Sequence, residues 1–373
     1  MAINNSSTLI PWAKPDFFGK EKEYVLEALD STWISGGKYV NTLEENFAHL
    51  LSKKHCFTVS NGTTAIHLAY LGMGLKAGDE VIFPGFGFLA AANIALHMEI
   101  RPIFCEVESD TWNLSAKDVE KRITPKTKAI VLVHSYGNLC DIGAFIKLSK
   151  KYNIPIIEDC AESLFSTYKG QQCGTFGLVN TFSFQATKTI TTGEGGMVVT
   201  DDDSIAKKMA LYRSHGMDRS KAFYIHELPG HNFRLTNLQA AIGVAQFEVK
   251  DKIINERVRI YKEYINHLSG VTGIAFQKIT SDTEPLIWAL AILLDKIRFP
   301  DKRDSLIKAL REVNIESRPG FYASSLLDIY PKHNLPVSED ISRNIISLPF
   351  YATLKNEQIA FICNQFKKLL NEI

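Results

Sequence analysis

Paired cysteines are the first thing this chain lacks. Six stand at 56, 105, 140, 160, 173 and 363, none in a C-x-x-C arrangement. A chain of 373 residues folds without disulfide staples, so reduced thiols are expected. An uncharged apolar run of about 18 residues, the length that spans a bilayer, is also missing. The opening "MAINNSSTLIPWAKPDFFGK" has no basic segment followed by a sustained apolar run, so no signal peptide is expected. A cytoplasmic location follows, in which the sequons at Asn4 and Asn5 are idle. Excess charge is absent as well. A formal net charge of +1 favours neither nucleic acid nor an anionic membrane as partner.

Several cofactor signatures are missing. There is no G-x-x-x-x-G-K-[ST] phosphate loop and no H-E-x-x-H. "GMGLKAG" (72–78) follows a helical pattern instead of joining strand to helix, so it reads as a helix stop and not a dinucleotide fingerprint. His215, His226 and His231 group loosely, without the thiolate or carboxylate spacing of a metal site, and no metal is expected. The four tryptophans read as core.

What is present is an ordinary globular composition, 45% hydrophobic and 22% charged, able to bury a large core. "CFTVS" (56–60), "DEVIFP" (79–84), "RPIFCEV" (101–107), "KAIVLVH" (128–134), "IPIIED" (154–159), "TFSF" (181–184) and "GMVVT" (196–200) read as strands. Several are apolar without alternation, as strands covered on both faces are. Helical spacing fills "GTTAIHLAYLGMG" (62–74), "FLAAANIALHM" (88–98) and "DIGAFIKLSKKYN" (141–153). The repeated units predict an α/β fold with a mostly parallel sheet. From about 240 the pattern changes to one long helix or a pair (238–270), strand-like "PLIWALAILL" (285–294), and helices at 303–313 and 356–372. We therefore expect a large domain over 1–245 and a smaller α+β domain over 246–373.

Parallel sheets bind ligands at the carboxyl ends of their strands. Those ends are Ser60–Gly62, Pro84–Phe88, His134–Gly137, Asp159–Glu162 and Ser183–Lys188. Asp159 closes one strand and Lys188 follows another. The pair suits pyridoxal phosphate, whose ring nitrogen needs a carboxylate partner and whose aldehyde needs a lysine amine. "GEGG" (193–196) supplies the tight turn that returns the chain into a strand. "SNGTTAIH" (60–67) opens a helix with small residues, where backbone amides and hydroxyls suit a phosphate or simply an N-cap.

Taken in order, "STWISGGKYVNTLEENFAHLL", "VSNGTTAIHLA", "GDEVIFPGFGFLAAANIA", "HSYGNLCDI", "EDCAESLFSTYKGQQCGTFG", "SFQATKTITTGEGGMVVT", "GHNFRLTNLQAAIG" and "SRPGFYASSLLDIY" resemble the DegT/DnrJ/EryC/StrS family of sugar aminotransferases. These are fold-type I pyridoxal phosphate enzymes, and the resemblance covers nearly the whole chain. It implies that Lys188 carries pyridoxal 5'-phosphate and that Asp159 pairs with the ring nitrogen. It places Glu162, where many relatives have glutamine or histidine, by the 3-oxygen side. Phe88 would stack on the ring, and Gly62, Thr63, Thr64 and Ser183 would cradle the phosphate. Asn232 would reach that phosphate from a neighbouring subunit, which implies an obligate homodimer with shared active sites. Arg318 and His215 would contact the substrate.

The implied reaction is ping-pong transfer of the amino group of L-glutamate to a nucleotide-linked ketosugar. "STWISGGKYV", "EDCAES" and "TKTITTGEGGMVVT" look most like enzymes that aminate C4 of a 4-keto-6-deoxyhexose for surface polysaccharides, such as perosamine synthases. "RPGFYASS" departs from the loop common in relatives, which leaves C3 against C4 and the nucleotide open. A dehydratase of the same fold would carry histidine in place of Lys188. A non-catalytic regulator would not need Lys188 and Asp159 intact, and a nicotinamide oxidoreductase would need the missing glycine fingerprint.

Overall fold

The computed structural model describes residues 8–218, 221, 224–280 and 282–372. Seven strands form the main sheet: β1 (His55–Val59), β2 (Glu80–Pro84), β3 (Arg101–Cys105), β4 (Thr127–Val133), β5 (Ile156–Asp159), β6 (Val179–Ser183) and β7 (Gly196–Thr200). Their order is β1-β7-β6-β5-β4-β2-β3. All pairings are parallel except the two made by β7, which runs against β1 and β6. All seven expected strands are present, and one of them is reversed. The reversal has a local cause. Residues 184–195 between β6 and β7 hold turns and no helix to carry a crossover, so the chain comes straight back.

Adjacent residues of these strands enter opposite cores, since side chains alternate across a pleat. Val81, Phe83, Val131 and Val133 join the helices Gly62–Met73, Ala90–His97 and Asp203–Arg213 on one face. Ile82, Ile130 and Leu132 meet the helices Ala116–Arg122 and Ile142–Tyr152 on the other. Burial on both faces explains the apolar runs without alternation. Helix Gly62–Met73 starts at an Asn61 capping box and stops at Gly74, whose φ of 74° is left-handed, as expected of "GMGLKAG".

The second sheet is antiparallel. Its strands are β8 (Ile274–Phe276), β9 (Leu290–Leu294), β10 (Arg318–Pro319) and β11 (Ile345–Leu348), in the order β8-β9-β11-β10. Helices Lys250–Leu268, Lys302–Glu312 and Asn356–Glu372 cover it in a separate core that also takes in Ile10. The pattern at 238–270 resolves into two helices, Asn237–Glu248 and Lys250–Leu268. The strand expected over 285–294 is only Leu290–Leu294. Its leading residues bond elsewhere, Leu286 N–H to Ser166 Oγ and Trp288 N–H to the Tyr136 carbonyl. Those two bonds tie the second sheet to the carboxyl edge of the first. Among the described residues no helix is long and apolar enough to cross a membrane.

Candidate active site

Strands β1, β5 and β6 end at one side of a cavity of about 370 Å³, and β10 and the approach to β9 close its other side. Gly62, Thr63, Phe88, Asp159, Ser183, Lys188 and Arg318 all line it. Residues far apart in sequence meet here because parallel strands deliver their carboxyl ends to one edge.

Asp159 and its neighbour Glu158 show how the strand sorts the chemistry. Glu158 faces away from the cavity and is fully engaged. It accepts from His134 Nε2 at 3.1 Å and from the backbone N–H groups of Gly174, Phe176 and Gly177 at 3.1, 2.7 and 2.9 Å. Asp159 lines the cavity, with one oxygen accepting the Ala161 N–H at 3.1 Å. Burial pushes its carboxyl above the ordinary value, against that bond and the nearby Lys188 charge.

Lys188 sits in a braced loop. Its N–H donates to the Gln185 carbonyl at 2.8 Å, and Gln185 Oε1 accepts from the N–H and hydroxyl of Thr187 at 2.9 and 2.7 Å. The amine lies 3.9 Å from Glu162 Oε1, an ion pair too long for a hydrogen bond. Burial lowers its pKa, opposed by the charges of Glu162 and Asp159.

Glu162 is buried, and its Oε2 accepts the Tyr136 N–H at 2.7 Å. Burial pushes its carboxyl up to about 7 from 4.5, against the Lys188 charge and the Tyr136 bond. A pKa raised on folding contributes stability that is full below about pH 4.5 and lost as pH rises through about 7. Glu162→Gln should flatten this segment of the stability profile, removing about 3 kcal/mol of the loss between pH 4.5 and 8. Urea unfolding at both pH values reads it, and identical profiles would assign the titration to another group.

The other end of the cavity is a close approach of backbones. A Cβ on Gly62 would fall 2.8 Å from Ser183 Cβ, and one on Gly196 would fall 2.6 Å from the Asn61 carbonyl group. Glycine at both positions lets the helix N-terminus at Gly62 come down onto the end of β6. Its unpaired N–H groups form an anion site beside the Ser183 hydroxyl. A phosphate, a lysine amine and a ring-nitrogen partner are all provided for, so the residues fit pyridoxal 5'-phosphate.

Four named residues are not in the cavity lining: Glu162, which stands 3.9 Å from the Lys188 amine, and Thr64, Asn232 and His215. Thr64 lies behind the lining, its N–H bonded to Asn61 Oδ1 at 2.8 Å and its hydroxyl to the Asn61 backbone. Asn232 is exposed, with Oδ1 accepting from Arg234 Nε at 3.2 Å. His215 donates its N–H to the His231 carbonyl and accepts His226 Nδ1 at its own carbonyl, outside the cavity lining. The reading of all four tryptophans as core holds for Trp12, Trp112 and Trp288 and fails for Trp33, which is 71% exposed; Trp12 and Trp288 also line the cavity. Asn61 and Tyr136, at the strand ends 60–62 and 134–137, line it too, as does Phe321, which carried no signal in spacing.

A family profile described as the DegT/DnrJ/EryC1/StrS aminotransferase family matches residues 16–367. The chain belongs to that family. Its relatives include the GDP-perosamine synthase of Escherichia coli O157:H7, 41% identical over 97% of this chain and 99% of that protein. The GDP-perosamine synthase of Vibrio cholerae is 40% identical over 97% of this chain and its own full length. Among solved structures, the Helicobacter pylori aminotransferase PseC, involved in pseudoaminic acid biosynthesis, superimposes with a TM-score of 0.93. It is 28% identical, over 98% of this chain and all of its own. The fold is thus that of an aminotransferase, as the resemblance implied, and α/β with a mostly parallel main sheet, as the strand and helix pattern implied.

Proposed function

We propose that this chain is a pyridoxal 5'-phosphate-dependent aminotransferase that transfers the amino group of L-glutamate to C4 of a GDP-linked 4-keto-6-deoxyhexose. The observation that carries the chemistry is the meeting of Lys188, Asp159 and the Gly62–Ser183 cradle in one cavity. The nucleotide and the position on the sugar rest on the two GDP-perosamine synthases that align with almost the entire chain.

When bound, the cofactor supplies an electron sink for the substrate carbon that loses a proton. Asp159 keeps the ring nitrogen protonated by its charge. Lys188 would hold the cofactor and, as a free amine, would take and return the substrate proton as base and acid. Its lowered pKa favours the free amine that this work requires. Gly62, Thr63 and Ser183 hold the phosphate, and Thr64 supports them through the helix cap. Phe88, 55% exposed, offers a free face to the ring, and Glu162 lies on the 3-oxygen side. Arg318 contacts the nucleotide sugar, its planar fork suited to phosphate oxygens, whereas His215 lies outside the lining and takes no part in this reading.

The large domain, 1–245, carries the cofactor groups, and the small one, 246–373, carries Arg318 and Trp288. Asn232 of the partner subunit completes the phosphate site in a homodimer. Support for such a contact comes from Leu26, Leu29, Trp33 and Ile34, an exposed apolar group along helix Glu21–Asp30 and the turn after it. The reaction takes place in the cytoplasm and feeds surface polysaccharide synthesis.

The test is the visible spectrum of protein loaded with pyridoxal 5'-phosphate, before and after L-glutamate, followed by addition of the GDP-linked ketosugar. The expected result is loss of the visible band with glutamate, its return with the ketosugar, and a 4-amino sugar nucleotide by mass spectrometry. A loaded protein whose spectrum ignores glutamate would overturn the amino donor. Amination at C3 would overturn the position.

A further inference from the structure

Trp288 stands just before β9, and each of its polar groups is engaged. Its N–H donates to the Tyr136 carbonyl at 2.9 Å, its carbonyl accepts Arg257 Nη1 at 3.0 Å, and Nε1–H donates to the Thr187 carbonyl at 2.7 Å. Trp12 packs edge-on against the ring, with centroids 5.7 Å apart and planes at 82°. Two of these bonds fix the backbone, and the Nε1–H bond and the Trp12 ring hold the indole itself. Its face is turned to Lys188, whose Nζ lies 3.8 Å from the ring centroid.

An indole face attracts a cation more strongly than the other aromatic rings do, and most when both are shielded from water. Here Trp288 is buried and the Lys188 side chain is only 13% exposed. The other charged groups facing the amine are Glu162 at 3.9 Å and Asp159, while Arg318 stacks over Trp12 with its guanidinium carbon 4.4 Å from that ring. A carboxylate stabilises an ammonium but also accepts its proton. A π face stabilises the ammonium and takes nothing.

We propose that Trp288 is a positioning residue that holds Lys188 in its protonated form between uptake and return of the proton. The inference rests on the reading of Lys188 as the reacting amine. The indole N–H bond to Thr187 fixes the backbone beside that amine, and the ring face fixes the amine itself. One residue of the small domain thereby sets both the place and the basicity of a group on the large domain.

The test is trace acetylation of the full-length, cofactor-stripped protein with acetic anhydride across pH, with the Lys188 peptide quantified by mass spectrometry. The midpoint of reactivity is the pKa of the amine. Trp288→Leu is expected to lower that midpoint by about one pH unit, a tenfold change. Trp288→Phe keeps a ring face without the N–H and should recover at least half of the shift. An unchanged midpoint in Trp288→Leu would overturn the proposal, as would Trp288→Phe falling as low as leucine. If the leucine variant does not fold, wild-type tryptophan fluorescence titrated over pH replaces it. A step at the Lys188 midpoint that vanishes in Lys188→Met supports the proposal, and its absence in wild type overturns it. Pyridoxal 5'-phosphate should shield Lys188 of the wild-type protein from acetylation. Shielding with an unmoved Trp288→Leu midpoint sinks this inference alone, whereas no shielding sinks the reading of Lys188 itself.

Discussion

Lys188→Ala is expected to lower turnover by roughly 10⁴-fold or more, because one side chain both holds the cofactor and moves the proton. The loss should fall on kcat. The phosphate cradle at Gly62 and Ser183 and the carboxylate of Asp159 are untouched, so cofactor still binds without its covalent link. The fold should survive, since alanine removes a buried amine that burial disfavours. A second consequence is electrostatic. The Lys188 charge holds the Glu162 carboxyl down, so its removal should push that carboxyl above its present value of about 7. Multiple-turnover assays of the aminated product, with unfolding curves as a control, read both effects. Normal repeated turnover by the alanine variant would overturn the assignment of the amine.

Asp159→Asn is the second large effect, expected to reduce kcat by roughly 10²–10³-fold while part of the cofactor affinity remains. Asparagine matches the shape, and its amide oxygen can still accept the Ala161 N–H that Asp159 accepts at 3.1 Å. What it lacks is charge. A neutral amide cannot keep a proton on the ring nitrogen, so the ring would no longer draw electrons from the substrate carbon. Stability should rise slightly if it changes at all, because burial already disfavours the ionised carboxylate. Cofactor titration and initial rates separate binding from turnover. Wild-type rates in this variant would mean that the ring nitrogen's partner lies elsewhere.

Much of this arrangement is legible before any fold is known. The seven strand runs, the helix stop at Gly74 and the strand ends at Gly62, Asp159, Ser183 and Lys188 follow from local rules of periodicity and turn chemistry. Those rules work here because parallel strands must be apolar on both faces and helix ends must be capped. They also identify the edge at which a ligand site forms, since only loops at strand ends are free of packing demands.

The aromatic wall is the part that local rules read only by half, since its tryptophans are buried and also face the cavity. Trp288 sits in "PLIWALAILL" like any core residue, yet two backbone bonds to Tyr136 and Arg257 pull it off the strand and aim its ring at Lys188. Thr64 errs the other way. Its sequence context suits a phosphate, but the Asn61 capping box uses its N–H and hydroxyl first. In both cases the deciding partner is a hydrogen bond, and in the case of Trp288 it comes from residues more than a hundred positions away or from another layer of the fold.

The sequence by itself determined the strands, their carboxyl ends, the amine and the carboxylate that meet there, and the family they belong to. These depend on residue type and short spacing, which the chain carries in plain order. Only the tertiary structure decided which tryptophans face the cavity, that Glu162 is buried deep enough to titrate near neutrality, and that Arg318 of the second sheet joins the site of the first. Those outcomes depend on burial and on contacts between distant segments, and desolvation and ring orientation have no value until the layers have packed.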